Sequence, residues 1–145
     1  MEKQLLVLSQ FFFPDKLSTG KVLSELFQGL DAAKFTVSVI TGRRLYQDKS
    51  SHVLQRYEKL NNIEIHRVMK ALFPKEKSWG RLLNYICFFL MSTTKVVVRR
   101  LHRNVNIVFS VSNPPIMPLL GAWLKNDKRR FVYLIHDLYP DIAIK

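Results

Sequence analysis

Residues 5–11 form an apolar run that does not alternate with polar positions, and residues 35–41 read as a second strand after a stretch of helical spacing. No other feature narrows the fold as much. A strand that is apolar at consecutive positions is buried on both faces, as the strands of parallel sheets are. Two parallel strands need a crossover, and a helix packed on the sheet supplies it. Between the two, Val22, Leu23, Leu26, Phe27 and Leu30 fall on one helical face, and Ser18 or Thr19 offers an N-cap. Gly42 stops the second strand.

The pattern continues along the chain. Residues 63–68 alternate with period two, which predicts a strand with one wet face near the sheet edge. Residues 72–78, with Pro74 among them, read as a linker. A long helix is predicted from Trp79 to about Arg103, a strand over 105–111 and a sharp loop over 112–115. A short apolar helix from Ile116 to about Lys125 and a strand over 131–135 follow. The order β-α-β-β-α-β-α-β predicts an α/β domain with a Rossmann-like, doubly wound, mostly parallel sheet. At 145 residues, one core and one domain are expected.

The apolar run at the N-terminus is too short for a secretory leader, and no small-residue cleavage site follows it. The single cysteine, Cys87, sits among Tyr85, Ile86, Phe88 and Phe89, where a small core residue is expected rather than a nucleophile. Both features predict a cytoplasmic location.

The net charge of +12 is unevenly placed. Residues 43–103 hold 14 Lys and Arg against 4 Asp and Glu, so ten of the twelve excess charges lie there. Such a region either meets an anionic partner or is a solvated face with a basic bias. Nucleic acid fits poorly, because the aromatics cluster in apolar runs instead of interleaving with the basic residues. The helix from Trp79 has two readings. It is a core helix under the sheet, or it touches an anionic membrane surface through Trp79, Arg81, Lys95, Arg99, Arg100 and Arg103. Polar residues from Asn84 to Lys95 interrupt its apolar run, which argues against a membrane span.

Several catalytic motifs are excluded. Gly20-Lys21 is not a phosphate loop, since Val22 stands where a hydroxyl is needed and Asp15 where the first glycine belongs. No two of the five glycines form the dinucleotide pattern, and His52, His66, His102 and His136 lack metal-ligand spacing. What remains is the set of loops at the carboxyl ends of the predicted strands, where open parallel sheets bind ligands. These carry Asp15, Thr19 and Gly20 after the first strand, and Gly42 and Arg43 after the second. Asn113 and Pro114 follow the strand at 105–111, and His136 and Asp137 follow the last. They are expected to converge on one crevice, although each loop alone is also ordinary turn chemistry.

Residues 5–15, 19–26, 35–43, 112–121 and 131–141 together resemble the family 4 glycosyltransferases. The segment Ile135, His136, Asp137, Leu138, Tyr139, Pro140, Asp141 resembles the subgroup that builds cell-surface polysaccharides. The resemblance implies a GT-B architecture of two Rossmann-like domains, with this chain as the N-terminal, acceptor-side one. It implies retaining transfer from a nucleotide-sugar to a lipid-linked glycan acceptor, with no metal or other cofactor. It also implies peripheral attachment to the inner face of the cell membrane. His136 is then expected to hydrogen-bond the donor sugar, Asp137 to orient its loop, and Thr19 with Gly20 to face donor phosphates or acceptor. One departure is that Leu17 and Ser18 precede Thr19 and Gly20, so one glycine of the usual first-loop pair is kept. The nucleotide-sugar half is expected to lie beyond Lys145, leaving this chain inactive alone. The alternative is a non-catalytic membrane- or ligand-binding module with the same fold.

Overall fold

A computed structural model describes residues 2–15, 18–43, 53–69, 72–74 and 76–135. In chain order it holds β1 (Lys3–Leu8), α1 (Ser18–Gln28), β2 (Phe35–Thr41), β3 (Tyr57–Leu60), β4 (Ile63–Arg67), α2 (Ser78–Val98), β5 (Ile107–Val111), α3 (Met117–Leu124) and β6 (Arg130–Leu134). The strands form a six-stranded sheet in the order β3-β4-β2-β1-β5-β6. All neighbours are parallel except β3, which runs antiparallel to β4. The chain is therefore a mixed α/β protein built on a mostly parallel sheet.

Alternation along β1 divides the interior in two. Leu5 and Val7 join Leu23 and Phe27 of α1 together with Val37, Val39, Ile63 and Ile65. Leu6 and Leu8, pointing the other way, join Phe88 and Val96 of α2 and Met117, Leu120 and Leu124 of α3. Continuous apolar runs are needed because both faces of the central strands are covered.

Four elements differ from the sequence reading. β1 ends at Leu8 rather than near Phe11: the chain leaves the sheet at Ser9, and Phe12 packs its ring 6.5 Å from that of Phe27. The buried side of α1 is narrower, since Leu23 and Phe27 are enclosed while Val22 and Leu26 are exposed. The strand at 63–67 stands one place in from the edge, near it as expected, but lacks the expected wet face, since only Glu64 is half-exposed. β3, unmarked in the sequence, lies outside it through a turn at Asn61 and Asn62, with Asn61 in the left-handed region (φ 54°) that asparagine tolerates.

The fourth difference is the end of α2, at Val98 instead of about Arg103. Arg100 takes a left-handed conformation (φ 53°), its N–H bonds the Val97 carbonyl, and the Leu101 N–H bonds that of Val96. This is a Schellman stop, and Leu101 packs on the same apolar cluster as Val96.

Candidate functional site

The loops at the carboxyl ends of the strands are fastened to one another by main-chain bonds. The Gly42 N–H donates to the Gln10 carbonyl at 3.0 Å, and the Thr41 hydroxyl donates to the same oxygen at 3.1 Å. A side chain at 42 would place its Cβ 2.9 Å from that oxygen, so glycine lets the loops after β1 and β2 meet. The Arg43 N–H then reaches the Met69 carbonyl at 2.8 Å, tying in the end of β4. The Arg43 side chain turns to the Leu54 carbonyl, to which its Nε donates at 3.0 Å.

Asp15, Thr19 and Gly20 come together where the first loop enters α1. A Cβ on Gly20 would lie 2.7 Å from the Cβ of Asp15, so the glycine seats the helix against its own preceding loop. Asp15 and Thr19 are buried, and the Ser24 hydroxyl donates to the Gly20 carbonyl at 2.6 Å. On the outer side of this junction is an open groove of about 420 Å³, lined by Phe13, Pro14, Asp15, Lys21, Ser24, Glu25 and Gln28. Asn113 and Pro114 follow β5, which pairs with β1 (Leu8 beside Ser110). The first loop passes to α1 on one face of the sheet and the 112–116 loop passes to α3 on the other. His136 and Asp137 lie outside the described residues.

Arg67 carries a role that its place in a basic stretch did not reveal. It ends β4, is 2% exposed, and points to the same side as Ile63 and Ile65. Its Nη2 donates to the Phe13 carbonyl at 2.8 Å, and its Nη1 pairs with the Glu58 carboxylate at 2.8 Å and donates to the Gln55 carbonyl at 3.3 Å. Only its Nε lacks a hydrogen-bond partner among the described residues. The available signal was position: an arginine continuing the apolar side of a strand is an inside residue.

On the other side of β4, His66 is also buried, with the Tyr57 ring 5.2 Å away. Its Nε2 is 3.7 Å from the Glu64 carboxylate and makes no hydrogen bond among the described residues. Burial holds the imidazole below its usual pKa; Lys95 and Arg99 add to this, and Glu64 opposes it. Lys95 is likewise held below the usual lysine range, by desolvation first and then by Arg99 and Arg56.

α2 has an inverted amphipathic character. Its buried stripe is Gly80, Asn84, Phe88, Ser92 and Val96, mostly small or polar, while Trp79, Leu82, Ile86, Leu90, Met91, Val97 and Val98 are exposed. Its 21 residues, with a mean hydropathy of 1.3 in the most apolar window, are long and apolar enough to cross a bilayer by length and composition alone. The buried stripe packs on the sheet, so the helix is both a core element and a carrier of outward apolar surface. Arg81, Arg99, Arg100 and Arg103 are exposed, and Lys95 is half-buried. The Trp79 ring stands 6.3 Å from Phe73, with the Lys77 ammonium 6.0 Å away.

Fold and loops define an α/β protein with a bound-together set of loops at the carboxyl edge of a mostly parallel sheet. Among the described residues, no group of three His, Cys, Asp or Glu could hold a metal ion. No protein-family model matches the chain, and neither does any curated protein or solved structure compared with it.

Proposed function

We propose that this chain is the acceptor-side domain of a retaining, GT-B-type glycosyltransferase of family 4, acting in cell-surface polysaccharide synthesis. In this reading the sheet is a Rossmann-like, doubly wound one. The acceptor is a glycan on a lipid, and the donor is a nucleotide-sugar held mainly by a second domain. The observation that carries the reading is the parting of the loops after β1 and β5 to opposite faces of the sheet. That is the topological switch point at which open α/β sheets bind ligands. The groove beside Phe13 adds an aromatic side with carboxylate, amide and hydroxyl groups around it, a lining suited to sugar hydroxyls.

The test is sugar transfer from a nucleotide-sugar to a lipid-linked acceptor, measured with this chain joined to a donor-binding domain. Transfer that His136→Ala abolishes without unfolding the protein supports the proposal. Tight, saturable binding of the nucleotide-sugar by this chain alone overturns the division of labour.

A second reading rests on α2. Its exposed Leu82, Ile86 and Leu90, with arginines at the helix ends, suit a module that docks on the inner face of the cell membrane without catalysis. Anionic vesicles binding the chain, with no transfer under any pairing of domains, would favour it.

A further inference from the structure

We infer that the groove between the first loop and α1 is selective for an amine-bearing sugar, whose ammonium is held by the Asp15 and Glu25 carboxylates beside the Phe13 ring. This selectivity rests on the sugar-binding role proposed for the groove and names the class of sugar.

One wall of the groove is a face of α1. Lys21, Ser24, Glu25 and Gln28 are three and four residues apart, and all four line it. The other wall is Phe13, Pro14 and Asp15. Phe13 packs half-buried on the apolar cluster that holds α1, and Arg67 bonds its carbonyl at 2.8 Å, so the aromatic wall is fixed from behind. The Arg67 guanidinium adds no net charge there, because Glu58 matches it. At about 420 Å³ the groove falls in the range of small-molecule sites, roughly 300–1,000 Å³.

The charges around it are lopsided. Among the described lining residues, the Asp15 and Glu25 carboxylates stand against one ammonium, that of Lys21. A negative site runs against the net charge of +12 carried by the chain. Lys21 does not neutralise Glu25 firmly. Their ion pair is 3.8 Å long and both side chains are more than half exposed, a contact that water and salt weaken.

Hydrogen-bonding capacity leans the same way. The Ser24 hydroxyl already donates to the Gly20 carbonyl at 2.6 Å, so toward the groove its oxygen can only accept. The carboxylates accept as well, which leaves the Lys21 ammonium and the Gln28 amide as the donors among these side chains. Such a lining calls for a ligand that donates. Neutral sugar hydroxyls meet part of that demand. A protonated amine meets more of it, with three donors, a charge that strengthens bonds to carboxylates, and attraction to an aromatic face. Acidic sugars meet two like charges instead.

The test titrates the 145-residue chain with glucosamine, glucose, N-acetylglucosamine and glucuronic acid, following the amide signals of Phe13, Ser24 and Gln28 by NMR. At a pH that keeps its amine protonated, glucosamine should saturate the shifts about tenfold below the concentration needed by glucose or N-acetylglucosamine, with glucuronic acid weakest. Glu25→Gln should remove most of that advantage, and Lys21→Gln should enlarge it about threefold. Asp127→Asn, at the opposite end of the strands, controls for a general loss of negative charge. Equal affinity for glucosamine and glucose, a preference unchanged in Glu25→Gln, or ethanolamine binding as tightly as glucosamine overturns the inference. So do signals that move with none of the sugars. Transfer by the chain joined to a donor-binding domain is measured alongside. Transfer that proceeds while the preference fails leaves the proposed function standing, whereas glucosamine bound with no transfer to any acceptor removes the transferase and keeps the selectivity.

Discussion

Arg67 donates from Nη2 to the main-chain carbonyl of Phe13 at 2.8 Å, fastening the end of β4 to the loop that follows β1. The guanidinium is fully enclosed, and Glu58 is its only ion-pair partner among the described residues. Removing one member of a buried pair costs more than replacing the cation by an apolar chain of similar volume, because the survivor is left uncompensated. Glu58→Ala should therefore destabilise the protein by about 2 kcal/mol, discounted because that carboxylate is partly solvated, and Arg67→Met by less. Urea unfolding of both variants checks the order. An Arg67→Met variant clearly less stable than Glu58→Ala would refute it.

Asn84 replaces a missing strand partner for the segment before α2. Its Oδ1 accepts from the N–H groups of Leu72 at 2.9 Å and Phe73 at 3.1 Å, and its Nδ2 donates to the Phe73 carbonyl at 3.0 Å. Asn84→Ala strands three main-chain groups in a part-buried site and should cost about 2–3 kcal/mol in urea unfolding. Faster amide exchange at Leu72 and Phe73 should accompany it.

Gly80 stands where a Cβ would collide with the Pro74 carbonyl oxygen, a main-chain atom that has no rotamer to escape through. Alanine normally gains about 1 kcal/mol over glycine inside a helix. Here Gly80→Ala should lower the melting temperature instead, because α2 must shift away from the 72–74 segment.

Arg100 occupies the left-handed position that glycine fills without strain. Arg100→Gly should raise stability by about 1 kcal/mol, read as a higher urea midpoint with unchanged slope.

His66 makes stability depend on pH. Its folded pKa is below the ordinary value of 6.5, so between the two values the unfolded chain binds more protons. Stability is full above 6.5 and is lost as pH falls through that window. His66→Gln should flatten the fall in melting temperature on acidification from neutral pH. An unaltered slope would remove His66 as its source.

β1 was legible because burial on both faces leaves a continuous apolar run from Leu5 to Leu8, and β2 and β5 because Val37, Val39 and Ile40, and Ile107, Val108 and Val111, are β-branched apolar residues. β3 was not, since Tyr57, Glu58, Lys59 and Leu60 mix exposed and half-buried positions over four residues. The end of α2 was missed for a related reason: its stop is written with arginine where glycine is the usual signal. At the loops, Gly20 and Gly42 were read as ligand-facing candidates, and the atoms that come close to them are those of Asp15 and Gln10 of the same chain. Arg67 and His66 looked like ordinary surface charge, because composition does not say which basic residues fold inward.

The two borders of the sheet are unlike. β3 is short and carries Glu58 and Lys59, whereas β6 exposes Val132 and Tyr133, and among the described residues no strand lies beyond it. Charge and brevity discourage edge-to-edge pairing, and an apolar edge invites it.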